Sequence, residues 1–257
     1  MDSTGLLLMG GGSRAAYQVG VLRGIARLAR EVSPDTLGTP FDVICGTSAG
    51  AINSVGLARG AQDFVQATEA LVQLWASLHA DRVYRTDVSR VSASGARWLT
   101  AMAFGWMTGH TPRALFDNAP LRELLQAQHD AQQLQAAFDA GALRALAVTA
   151  LSYTTGRHVT FYQSPHIVLP WKRSQRIAVA DEIGVSHLLA SSSIPFIFPA
   201  QAVQLEGNDE WFGDGTMRQM SPLSPAIHLG ATRILVVGAA ARQQPGWYDT
   251  VPGSGYP

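Results

Sequence analysis

The pentapeptide Gly46-Thr47-Ser48-Ala49-Gly50 constrains this chain more than any other feature. It follows the short apolar run Phe41-Asp42-Val43-Ile44-Cys45 and opens a helix-compatible stretch, Ala49 to Arg59. A strand turning this sharply into a helix lifts the middle side chain to the end of a sheet, where its hydroxyl sits on a strained bend. Glycine at both ends gives the room such a turn demands. Ser48 is therefore the candidate nucleophile. The plainer role for these residues is a small-residue turn that packs a buried helix on a sheet.

The rest of the chain supplies the sheet. Leu6–Met9, Phe41–Cys45, Ala142–Leu151, Val159–Tyr162, Trp211–Gly215 and Arg233–Val237 read as strands, the last of them buried. Helices are expected over Ala15–Arg30 (one face Tyr17, Val21, Ile25 and Leu28), Ala49–Arg59, Gln62–Leu78, Leu115–Gln128, Asp181–Ala190 and Ser224–Leu229. Asp117 and Asn118 are N-cap candidates, with Pro120 in the first turn. Ile194-Pro195-Phe196-Ile197-Phe198-Pro199 cannot be helical, because two prolines forbid it. This alternation predicts an α/β fold, a mainly parallel central sheet with helices on both faces, in three layers. Residues 1–238 are expected to form one domain, with 80–112 as an insertion and 239–257 as a loop-like tail.

Composition excludes several functions. Across 257 residues, 19 basic and 19 acidic side chains cancel, and no local Lys/Arg run offers nucleic acid a binding site. Cys45 is the sole cysteine, so no internal disulfide forms and no thiolate metal site is expected. No charged leader precedes Leu6-Leu7-Leu8-Met9, and no apolar stretch is long enough to span a bilayer. A cytoplasmic location is the expectation. Only 15% of residues are charged, against about 25% in ordinary domains. That deficit fits a large core and a surface that meets something greasy.

Serine-mediated acyl cleavage needs a nucleophile, a base and donors for the oxyanion. Gly10-Gly11-Gly12-Ser13-Arg14 suits the last role, since bare amides converge there and a helix aims its positive end at them. The same run also satisfies the Gly-x-Gly-x-x-Gly/Ala dinucleotide fingerprint. That fold places an acid at the end of its second strand, where this chain has Cys45-Gly46. A Walker loop is ruled out, because no Gly-Lys-Ser/Thr follows. For the base, His228 lies beyond Asp214, in triad order, but in a stretch that reads as helix packing. His79, His110, His129, His158, His166 and His187 show no pairing pattern. Asp214 stands between glycines after an apolar run, and its plainer role is a turn-forming residue.

These segments together resemble the patatin-like phospholipases. Gly10–Arg14 is similar to their oxyanion loop, Gly46–Gly50 to their nucleophile elbow, and Asp214-Gly215 to their Asp-Gly motif. Ser191-Ser192-Ser193-Ile194-Pro195 and Phe198-Pro199 resemble the segment that precedes that motif in bacterial members. The likeness runs in order from about residue 5 to 238. Thr216 departs from it, since glycine or alanine is commoner there. The resemblance implies a Ser48–Asp214 dyad without histidine, an oxyanion hole from the amides of Gly11, Gly12 and their neighbours, lipid acyl hydrolysis, and neither metal nor cofactor. It implies phospholipase A or lysophospholipase activity on a lipid substrate met in passing contact with a membrane. An acyl thioesterase or general esterase, and a silent lipid-binding scaffold, are the alternatives. Trp98, Met102, Phe104 and Trp106 within 95–112 are candidates for a lid or interfacial anchor. Ile194, Phe196, Ile197 and Phe198 are candidates for an acyl channel. Core packing is the plainer role of both groups.

Overall fold

A computed structural model of the chain describes residues 2–85, 114–205, 207–217 and 223–239. In chain order the elements are β1 (Thr4–Leu8), a 3-10 turn (Gly12–Ala15), α1 (Ala16–Val32), β2 (Val43–Thr47), α2 (Ala49–Arg59), α3 (Phe64–Ala76) and α4 (Ala80–Val83). There follow α5 (Ala119–Gln128), α6 (Ala131–Asp139), β3 (Ala145–Ser152), β4 (His158–Gln163), β5 (Lys172–Arg173) and β6 (Arg176–Ala180). α7 (Val185–Ser192), β7 (Gln201–Leu205), β8 (Asn208–Asp214), α8 (Leu223–His228) and β9 (Arg233–Val237) close the described chain.

One nine-stranded sheet runs β5-β6-β4-β3-β2-β1-β9, with β8 on the far part of β3 and β7 on β8. The centre is parallel, as expected: β9, β1, β2 and β3 pair side by side in one direction. Beyond β3 antiparallel pairing sets in, through β4 and β8 and the hairpins β5–β6 and β7–β8. α4, α6, β5, β6 and β7 have no counterpart among the elements expected from sequence.

Strand alternation separates two faces. Leu6, Leu8, Ile44, Leu146 and Val148 face a large core with α1, α2, α3, α5, α6 and α7. Leu7, Val43, Cys45, Ala145 and Ala147 face a thinner layer, where α8 contributes Ala226 and Trp171 covers Tyr162. Each large aliphatic sealed in the first core contributes about 1.5–3 kcal/mol.

Two expectations need correction. In α1 the buried residues are Gln18, Val19, Leu22 and Ala26; of the expected face Val21 and Ile25 pack partly buried against the core, while Tyr17 and Leu28 are exposed. The cause is Gln18, drawn inward by hydrogen bonds from its Nε2 to the carbonyls of Met9 and Val237. β9 is an edge strand rather than a buried one, with Leu235 and Val236 exposed. Among the described residues no helix is long and apolar enough to cross a membrane.

Candidate active site

Ser48 sits between the last residue of β2 and the first of α2, at φ 55° and ψ −131°. A non-glycine residue in this region is strained and persists only where its surroundings fix it. Gly46 and Gly50 make the bend possible. A Cβ on Gly50 would lie 2.2 Å from the carbonyl oxygen of Leu8, and one on Gly46 would lie 2.6 Å from the Cα of Ala51. Both clashes are with backbone, which cannot step aside.

Asp214 ends β8 and is 3% exposed; Ser48 is 5% exposed. The β8–β3 register sets Asp214 beside Ala150. Ser48 Oγ donates to Asp214 Oδ2 at 2.7 Å, across 166 residues of chain. The other oxygen, Oδ1, accepts from the backbone N–H of Thr216 at 2.8 Å and from its hydroxyl at 2.6 Å. Thr216 thus aims the free oxygen of the carboxylate at the serine. Gly215 lets the chain turn away, since a Cβ there would meet the carbonyl of Thr149 at 2.1 Å.

The end of α7 braces both residues. Ser191 Oγ accepts the backbone N–H of Ser48 at 2.8 Å and donates its own proton to Thr149 O at 2.7 Å. The carbonyl of Ser193 accepts the N–H of Asp214, and that of Ser191 the N–H of Gly215. In sequence Ser191 stands only as part of the Ser191–Pro195 segment of the resemblance; its contacts come from the fold. Because its N–H is already engaged, Ser48 does not offer that amide to a substrate.

The glycine loop lies against the same pair. A Cβ on Gly10 would come within 2.1 Å of the Thr216 methyl and 3.0 Å of Ser48 Cβ. Gly12 adopts φ 55° with open space around it. The amides of Gly10 and Gly11 donate no hydrogen bond to another described residue. Unengaged N–H groups beside a serine hydroxyl are donors in waiting. A buried relay holds the loop from behind: Trp75 Nε1 donates to Asn53 Oδ1, Asn53 Nδ2 to Gln18 Oε1, and Gln18 Nε2 to the carbonyl of Met9. Ser13 and Arg14 are exposed.

A family model for patatin-like phospholipases matches residues 6–227. The chain belongs to the patatin-like phospholipase family. Membership supports lipid hydrolase activity. No curated protein matches the chain significantly. Among solved structures, VipD from Legionella pneumophila superposes with a TM-score of 0.50 at 15% identity, over 93% of this chain and 50% of that one. The type III effector ExoU gives 0.35 at 17% identity, over 76% of this chain and 41% of that one. The complex of SpcU with ExoU from Pseudomonas aeruginosa gives 0.27 at 16%, over 62% and 34%. At these identities VipD speaks to the fold alone, and the two ExoU superpositions are too loose to bear on it. The chain spans about half the length of VipD.

Two histidines of this patatin-like domain are engaged elsewhere. His228 stacks on Trp171 at 4.6 Å on the thin face of the sheet. His187 is buried in α7; its Nδ1 accepts the N–H of Gly184, which fixes its proton on Nε2 towards Asp181 at 3.2 Å. Burial lowers its pKa below 6.5, and Asp181 opposes that shift. Tyr153 has its pKa raised, by burial and then by the charge of Asp214. Among the described residues no group of three or more His, Cys, Asp or Glu could hold a metal. Around the dyad, Ile194, Phe196 and Met217 are exposed, while Ile197 and Phe198 are half-buried. Phe196 holds φ 66°, a strained setting for an aromatic residue. Residues 95–112, the expected lid, lie outside the described residues.

Proposed function

We propose that the chain is a serine acyl hydrolase of phospholipase A or lysophospholipase type, with Ser48 as nucleophile and Asp214 as its base. The observation that carries this reading is the 2.7 Å hydrogen bond from Ser48 Oγ to Asp214 Oδ2. On attack, the Ser48 proton passes to Asp214 Oδ2 and Oγ adds to the ester carbonyl. The oxyanion is met by the unengaged amides of Gly10 and Gly11, the Arg14 amide being held by the Gly11 carbonyl; one such donor contributes about 3–4 kcal/mol to the transition state. Asp214 then returns the proton to the leaving alcohol. In the second half it takes a proton from water as the water oxygen adds to the acyl carbonyl, and returns that proton to Ser48 Oγ as the acid leaves. The exposed apolar side chains of Ile194, Phe196 and Met217 at the site's edge suit an acyl chain.

A fluorophosphonate probe tests the nucleophile. The expected result is one covalent label on Ser48, absent in Ser48→Ala. An unlabelled wild-type chain that still binds lipid would support the silent scaffold. Hydrolysis of phospholipid and lysophospholipid in preference to acyl-CoA is expected, and the reverse order would make the chain a thioesterase.

A further inference from the structure

The antiparallel flank of the sheet carries a charge pattern that the linear sequence conceals. From Tyr153 to Ala180 the chain holds Arg157, Lys172, Arg173 and Arg176 and no aspartate or glutamate. All four cations are exposed. Among the described residues none of them forms an ion pair.

Folding gathers these cations at the serine's end of the sheet. β3 runs parallel to β2, so its C-terminal turn, Tyr153–Arg157, lies at the end where β2 delivers Ser48. β6 runs parallel to β4, with Arg176 beside His158, and β5 returns antiparallel with Arg173 opposite Arg176. The β5–β6 turn is therefore at that same end, tied to β4 by the N–H of His158 donating to the carbonyl of Gln175 at 2.9 Å. One register row runs Asp214, Ala150, Val159, Ile177, Lys172. Three strand spacings separate β3 from β5, roughly 15 Å. Arg173 and Arg176 project from one face of the hairpin and Lys172 from the other, so the charge belongs to its tip. On the opposite flank of the Tyr153–Arg157 turn, Tyr153 and Trp211 are 43% and 54% exposed, joined by the N–H of Tyr153 donating to the carbonyl of Trp211 at 2.7 Å. Glu210 and Asp209 of β8 share this end, but the first carboxylate is engaged by the hydroxyl of Ser152 and the second by the side-chain amide of Gln204.

We propose that this end of the sheet docks on an anionic phospholipid surface. Arg157, Lys172, Arg173 and Arg176 meet headgroup phosphates, and Tyr153 and Trp211 lie at the headgroup boundary. Aromatic rings with one polar edge prefer that depth, and the planar guanidinium pairs with phosphate through two parallel hydrogen bonds. A single-stranded nucleic acid would need cations strung along a groove, whereas these cluster on two turns and flank the apolar border of the dyad. The proposal rests on the lipid-hydrolase reading and specifies the surface on which that reaction takes place.

Co-sedimentation of the Ser48→Ala chain with vesicles separates binding from turnover. Phosphatidylcholine vesicles containing phosphatidylglycerol are expected to bind it, and pure phosphatidylcholine vesicles to bind far less. Added salt should close that gap. Each cation removed should weaken binding about fivefold, so Arg173→Gln with Arg176→Gln loses about 25-fold. The same two substitutions in the Ser48 chain leave hydrolysis of a short monomeric ester unchanged, with an unchanged melting temperature as the check on folding. Equal binding to the two vesicle types, undiminished binding after all four cations become glutamine, or a DNA duplex that competes as well as the anionic vesicles overturns the proposal. A Ser48 chain that binds anionic vesicles yet hydrolyses no ester sustains the docking surface and sinks the catalytic reading, so the two failures are distinct.

Discussion

Two glycine-rich bends meet at this site, and they use glycine for different reasons. In the Gly46–Gly50 bend a Cβ at either glycine would collide with backbone that cannot retreat. In the Gly10–Arg14 bend, Gly12 has nothing within 4 Å of where its Cβ would be, and its φ of 55° is what a side chain would resist. A Cβ on Gly10 or Gly11 would press first on a side chain, the Thr216 methyl or the Ala239 Cβ, rather than on backbone. The first bend is a packing solution that fixes one hydroxyl. The second joins close packing on side chains at Gly10 and Gly11 to a left-handed turn at Gly12, and leaves the amides of Gly10 and Gly11 bare. A motif search treats both as runs of small residues, but their tolerance to substitution should differ sharply.

The largest effect should come from the first bend and its acid. Ser48→Ala and Asp214→Asn should each lower kcat by on the order of 10⁴-fold or more, with far-ultraviolet circular dichroism unchanged. Residual activity near wild type in either variant would break the assignment of roles. Next comes Gly50→Ala, which drives a methyl into the carbonyls of Leu8 and Met9. Denaturant titration should show a loss of about 3 kcal/mol or more. Thr216→Val keeps the shape but removes the hydroxyl donor to Asp214 Oδ1. A fall in kcat of about tenfold is expected, restored by Thr216→Ser. Gly12→Ala, in the second bend, should cost only about 1 kcal/mol of stability. If it matches Gly50→Ala, the contrast between the bends is wrong.

The smallest effect concerns the brace. His187 is held neutral in the folded chain by burial, with its pKa lowered from 6.5. The unfolded chain takes up that proton first, so this stability is present in full above pH 6.5 and is lost as pH falls through the folded-state value. The melting temperature should decline on acidification more steeply in wild type than in His187→Gln. Parallel slopes would remove His187 from the account of how α7 holds the elbow.

Much of the site was legible because its signals are local. The bounds of α2 and β9 follow directly from apolar runs and their flanking glycines, and Asp214-Gly215 stands out as a carboxylate after an apolar strand. The contact between Ser48 and Asp214 rested on resemblance, since no periodicity spans 166 residues. Gln18 and Asn53 were illegible for a different reason. Each is a polar residue inside an apolar pattern, and what it touches is set by tertiary packing. α1 shows this directly: its expected face kept Val21 and Ile25 but lost Tyr17 and Leu28, the helix being turned by one buried amide side chain with two carbonyls to satisfy. The β5–β6 hairpin was missed because Lys172 and Arg173 lack the alternation that marks a strand, and with it went the gathering of cations that the linear sequence disperses.

Cys45 lies three residues before the serine, sealed in the middle of the sheet, its thiol pushed up to about 12 by burial. As the sole cysteine, it is a native chemical clock. An alkylating reagent can reach it only when β2 leaves its neighbours. The rate of labelling in the absence of denaturant therefore times how often the platform beneath the serine comes apart.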